Sequence, residues 1–194
     1  MREIALHLLD IAENSIAAGA KTIEITVEED VQNDRLTVIV QDDGKGMDEQ
    51  FVAQVGHPFV TSRTTRKVGL GIPLLKAAAE GCRGALAVTS SPGHGTRLVV
   101  EFQRSHIDRM PLGDLAGTIL TLIVSSSRIH WLFHYRANIS WHTDDATFTF
   151  DNEAIKRELD EIPLTEPVIL VFIRELLQEG VDKVQRAIEK QEVI

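Results

Sequence analysis

The sequence predicts an α+β chain: a two-layer α/β sandwich over residues 1–104, then a small α+β module over 105–194. Three observations carry this. Strand-like alternation comes in consecutive pairs, at 22–30 with 36–43 and at 85–90 with 96–102. Helical periodicity brackets those pairs, at 4–18 and 72–80. After residue 105 the order changes to helix, two strands and two helices. Paired strands between helices fit helices on one face of a mixed sheet, whereas parallel β-α-β winding would alternate strand with helix.

Each element has its own warrant. Ile4, Leu8, Ile11 and Ser15 form one stripe at helical spacing, and Gly19 is the expected stop. TIEITVEED and LTVIVQDD alternate apolar with polar, and the polar residues 31–35 between them make a hairpin turn. A short helix is expected over 47–55, and 57–69 reads as a loop rich in Thr, Ser, Arg and Lys. The helix of 72–80 opens after Gly-Leu-Gly and closes at Gly81. Pro-Gly-His-Gly at 92–95 joins the strands of the second pair. Beyond the boundary, a helix is expected over 111–124, strands over 128–136 and 146–151, and helices over 152–159 and 166–189, with Pro163 and Pro167 between the last two.

Composition narrows the function. Hydrophobic residues at 43% and charged residues at 25% give a globular balance with enough material for a core. A formal charge of −9 argues against a sequence-independent nucleic-acid binder, which needs a basic stripe, but leaves room for a local phosphate site. The single cysteine, Cys82, has no intrachain partner, and it excludes a cysteine-only metal cluster. The N-terminus lacks a signal-peptide pattern and the longest apolar run, 115–124, is too short to span a bilayer. The expectation is a soluble cytoplasmic protein with no membrane attachment.

Four segments carry chemistry. Asp10 and Asn14 lie one helical turn apart on one face. A carboxylate there can orient or deprotonate a nucleophile, and a carboxamide oxygen suits magnesium. Asp42-Asp-Gly44-Lys-Gly46-Met47 follows a strand. Its glycines allow a flat ligand close to the backbone, Asp42 can accept from an exocyclic amino group, and Met47 can pack on a purine. Gly69-Leu70-Gly71 opens a helix behind a basic, hydroxyl-rich run containing Thr61, Arg63 and Lys67. Free amides at such a start, with nearby cations, suit phosphate. The last segment, Gly93-His-Gly95-Thr96, taken alone, is a hairpin turn.

In order and spacing, these segments over 4–103 resemble the ATP-binding domain of the GHKL superfamily. DNA gyrase B, heat-shock chaperones, histidine kinases and mismatch-repair ATPases share this Bergerat fold. The resemblance implies that Asn14 binds Mg, Asp42 binds the adenine amino group with Gly44 and Gly46, and Gly69 and Gly71 face the phosphates. It implies that Gly95 and Thr96 support the adenine site, and that Pro58 to Arg63, with Phe59, form the phenylalanine-containing box of the kinases. ATP and Mg are the implied cofactors. The stretch 13–20 is closer to mismatch-repair ATPases, and 58–72 to kinases.

The sequence departs from the family in two places. The general-base position, four residues before the magnesium asparagine, is usually glutamate and here is Asp10, one methylene shorter. Few residues precede that helix, where kinases carry a phosphoacceptor hairpin, so a phosphoacceptor is expected on a separate protein. The favoured function is ATP hydrolysis or phosphoryl transfer to such a partner. A non-enzymatic ATP-gated switch is the alternative, and a mismatch-repair-like ATPase the second alternative.

Several residues stay outside that site. His130 and His134 are four apart, a zinc spacing on a helix, but IHWLFHYR reads as a strand. Trp131, Phe133, Tyr135 and Trp141 suit a core or a partner surface. Val168, Val171, Phe172, Leu176 and Leu177 make the terminal helix amphipathic, with core packing the default reading and homodimerisation the sharper one.

Overall fold

A computed structural model describes residues 3–55, 71–139, 146–159 and 162–192. The expected elements form at nearly the expected positions. They are helix α1 (Ile4–Ala17), strands β1 (Thr22–Asp30) and β2 (Arg35–Asp42), helices α2 (Glu49–Gln54) and α3 (Gly71–Gly81), and strands β3 (Ala85–Ser90) and β4 (Thr96–Gln103). Helix α4 (Leu115–Ser125), strands β5 (His130–Asn138) and β6 (Ala146–Asp151), and helices α5 (Asn152–Leu159) and α6 (Pro167–Glu192) follow.

All six strands form one sheet in the order β3-β4-β2-β1-β5-β6. Four of the five strand pairs are antiparallel. The exception is β1 with β5, parallel from Thr22↔His130 to Asp30↔Asn138. The sheet is mixed, as expected, but its parallel pair is the seam between the first hundred residues and the rest. Local periodicity cannot report such a pairing, because it joins strands that are remote in sequence.

Strand alternation assigns the faces. Ile23, Ile25 and Val27 of β1, Val38 and Val40 of β2, Val100 and Phe102 of β4, and Trp131 and Phe133 of β5 are buried. Ile4 and Leu8 of α1, Leu75 of α3, Ile119 of α4, and Ile173 and Leu177 of α6 complete the same core cluster. Burying a large apolar side chain is worth roughly 1.5–3 kcal/mol. The aromatic residues of β5 are therefore part of the central core and not a free surface. Trp141 lies outside the described residues.

A buried polar junction crosses the seam. Tyr135 Oη donates to Glu29 Oε1 (2.6 Å) and Arg104 Nε donates to Glu29 Oε2 (2.7 Å). Burial, with the Glu29 carboxylate beside it, pushes the Tyr135 phenol well above its ordinary value. The segment after β4 also returns to α1. Ile4 N–H donates to the Pro111 carbonyl and Ala5 N–H to that of Leu112, which satisfies two amides a helix start leaves open.

Two readings of side chains change. Val168, Val171 and Phe172 are exposed, whereas Leu177 of the same helix is buried, so the default of core packing fails for the first three. His130 and His134 lie on a strand, as expected, and take separate partners. His130 Nε2 meets Asp151 Oδ1 at 2.9 Å, and His134 Nε2 meets Glu24 Oε1 at 3.4 Å.

Candidate functional site

The expected site residues that the structure describes gather at one end of the sheet, where β2 ends and β4 begins. Asp42 is the last residue of β2 and pairs in register with Thr96, the first of β4. Its carboxylate is buried and held at both oxygens. Ser15 Oγ donates to Oδ2 (2.6 Å) and Gly44 N–H donates to Oδ1 (2.9 Å). Each carboxylate oxygen has two acceptor directions, so both keep one for a further donor. The carboxylate is fixed in orientation yet still able to accept.

The glycines around it allow close backbone approach. Gly46 and Gly95 have φ of +67° and +74°. A Cβ at Gly46 would run into the Ser91 carbonyl, and one at Gly95 into the Asp42 carbonyl. At these two positions both conformation and space demand glycine. Two further hydrogen bonds join the 44–47 segment to its neighbours. Lys45 N–H donates to the Ala18 carbonyl (3.0 Å), and Gly93 N–H to the Lys45 carbonyl (2.8 Å).

Ser90 ties the remaining parts together. Met47 N–H donates to its Oγ (2.9 Å), which donates to the Gly95 carbonyl (2.7 Å) and lies 3.1 Å from Thr96 Oγ1. Met47 is half-buried beside this network. Asp43 faces the other way, and its Oδ1 accepts from Lys21 N–H (2.6 Å) and Thr22 N–H (2.9 Å). Burial alone would raise the Asp43 carboxyl, but those amides outweigh it and hold the group below the ordinary carboxylate value.

Helix α1 supplies the other wall. Ser15 faces inward to Asp42, while Asp10 and Asn14 are exposed one turn apart. Asp10 lies against the start of α3, since a Cβ on Gly71 would sit 3.3 Å from Asp10 Cβ and 3.5 Å from its Oδ2. The structure thus brings Asp10, Gly71, Asn14, Asp42, Gly44, Gly46, Met47, Gly95 and Thr96 onto two adjoining edges. Phe59, Thr61, Arg63, Lys67, Gly69 and Leu70 lie outside the described residues.

Sequence reasoning placed Ser15 on the core stripe and missed its partner. The signal was available, because a hydroxyl in an otherwise apolar buried stripe must find an acceptor. Ser90 carried no such signal, and its role depends on the turn folding back over 90–96.

Residues 1–106 match the family of histidine kinase-, DNA gyrase B- and HSP90-like ATPases. The chain belongs to this family. Its first hundred residues are therefore an ATP-binding domain of the histidine kinase-like type, with the two-layer α/β fold expected. The cell-division control histidine kinase PdhS of Brucella anthropi is 33% identical over 120 residues, 55% of this chain and 11% of that protein. Sporulation kinase A of Bacillus subtilis is 28% identical over 104 residues, 54% of this chain and 16% of that protein. The chain thus spans less than a fifth of these relatives' length. Among solved structures, full-length ShkA in complex with AMPPNP gives a TM-score of 0.43 at 24% identity, covering 50% of this chain and 20% of that one. The catalytic domain of the histidine kinase ThkA gives 0.43 at 20% identity, covering 54% and 68%.

Proposed function

We propose that the domain binds Mg·ATP at the edge formed by α1, the 42–47 segment and the 90–96 turn, and uses it for hydrolysis or phosphoryl transfer to a separate protein. The observation that carries this is the doubly held Asp42 carboxylate, buried yet with acceptor capacity left, in a backbone cradle that only glycine permits. Such a carboxylate suits an exocyclic amino donor on a flat base, with Met47 and Thr96 beside it.

The residues fit magnesium in its usual mode. Among the described residues no group of three or more His, Cys, Asp or Glu side chains gathers to hold a metal. Magnesium keeps several waters and binds through one or two protein oxygens plus substrate phosphates, so a cage is not required. The exposed Asn14 carboxamide would hold it. When bound, the ion neutralises phosphate charge. Asp10, one turn earlier and against the first residue of α3, would orient the attacking water or acceptor hydroxyl. Phosphoryl transfer depends mostly on positioning and charge stabilisation, so the shorter aspartate costs reach and not chemistry. Arg63 and Lys67 would add positive charge at the phosphates. The histidine kinase relatives favour a protein phosphoacceptor.

The test follows the terminal phosphate of labelled ATP with magnesium, in wild type and Asp10→Asn, after calorimetry confirms binding in both. Phosphate release by wild type alone supports an ATPase with Asp10 as base. Retention without release, followed by transfer to a candidate partner, supports a kinase. Binding with neither would leave the ATP-gated switch and reject the enzymatic reading.

A further inference from the structure

The outward side of α6 combines apolar and charged residues in an order the ATP site does not use. The helix turns its core side inward through Ile173, Leu177, Val181, Val184 and Ile188. At 100° per residue, the opposite side carries Val168, Phe172, Glu175, Glu179, Lys183, Arg186 and Lys190 in one line. All seven are exposed, Val168 at 80% and Phe172 at 53%. Val171 widens the apolar end, exposed at 56%. The line reads apolar, then acidic, then basic. In the basic stretch Arg186 also pairs with Asp182 of its own helix (3.1 Å), so among the described residues Lys183 and Lys190 are the cations of that line with no such partner within the helix.

We propose that this face receives a second copy of the chain, with the two α6 helices antiparallel. The charge order selects the occupant and its direction. In an antiparallel pair, Glu175 and Glu179 of one copy lie toward Lys183 and Arg186 of the other. In that register Phe172 meets the alkyl stem and cationic end of Lys190, a contact that aromatic surfaces favour. A parallel pair would set acid against acid and base against base.

Size points the same way. Three apolar side chains cannot supply the roughly 800 Å² per partner of a stable interface, so contact must run along the whole helix of about 39 Å. A chain with a formal charge of −9 repels its own copies in general, and this face is where a basic run meets an acidic one. Exposed ion pairs contribute little singly and are screened by salt, so the dimer is weak, salt-sensitive and concentration-dependent.

Sedimentation velocity over a concentration series, at low and high salt, tests this with the full chain. Wild type is expected to dimerise reversibly and dissociate as salt rises. Phe172→Asp, the pair Glu175→Lys/Glu179→Lys, and the pair Lys183→Glu/Arg186→Glu should each weaken association roughly tenfold or more. Circular dichroism confirms that each remains folded. All four charge reversals in one chain should restore the homodimer, because the antiparallel match is then rebuilt in mirror order. A monomeric wild type throughout, a dimer indifferent to these variants, or failure of the fourfold reversal to restore association would each overturn the proposal.

Discussion

Asp42 is the residue on which the proposed ATP site rests, and each of its oxygens has a separate tether. Replacing it with asparagine keeps the shape and removes the charge. Asp42→Asn is expected to weaken ATP binding about 10- to 100-fold, the scale of a hydrogen bond to a charged group, as measured by calorimetry. Ser15→Ala should cost less, about 3- to 10-fold, since it frees the carboxylate without removing it. If Ser15→Ala binds ATP as wild type does, Ser15 does not position Asp42 for the ligand. Asp43 gives a prediction about pH. Its carboxyl is held below the ordinary value, so its stabilising contribution is complete above about pH 4 and is lost as pH falls through its depressed value. Asp43→Asn should therefore lower the melting temperature at about pH 6, and the gap from wild type should narrow as the pH falls below about 4. A gap that stays constant with pH would show that the amide contacts do not depend on the charge.

At the scale of elements, the contact between α6 and β6 is closely fitted. Gly180 lies against the ring of Phe148, where any Cβ would overlap it. Gly180→Ala should destabilise the protein by about 1–3 kcal/mol, the usual cost of overpacking, read as a lower urea midpoint. Most elements were legible from periodicity, because each buries one face and alternation or helical spacing records which. The helical line on α1 was legible too, including Asp10 and Asn14 together. What periodicity could not show were the pairings made at a distance. Nothing in LTVIVQDD announces that the first of its two aspartates, Asp42, meets Ser15, and nothing in IHWLFHYR announces its neighbour in the sheet. The apolar character of Val168, Val171 and Phe172 suggested burial, yet they fall on the wrong side of a helix whose core line is already complete.

For the whole molecule, the seam matters most. Family likeness ends at residue 106, but β5 lies along the full length of β1, and its Trp131, Phe133 and Tyr135 are fully buried. A chain cut after residue 106 would leave β1 as a bare edge and expose the core side of α1 that meets α4. It is expected to aggregate, or to lose its cooperative thermal transition. A soluble fragment with wild-type ATP affinity would show that residues 105–194 are a separable addition. The seam also sets an order of events during synthesis. Strand β1 is synthesised well before its parallel neighbour, which begins more than a hundred residues later, at His130. Contacts so distant in sequence slow folding, and the unpaired edge remains open while they are awaited. The nascent ATP-binding domain therefore passes through a period in which its central sheet is one hairpin short, and in that interval a chaperone or a neighbouring nascent chain would find it.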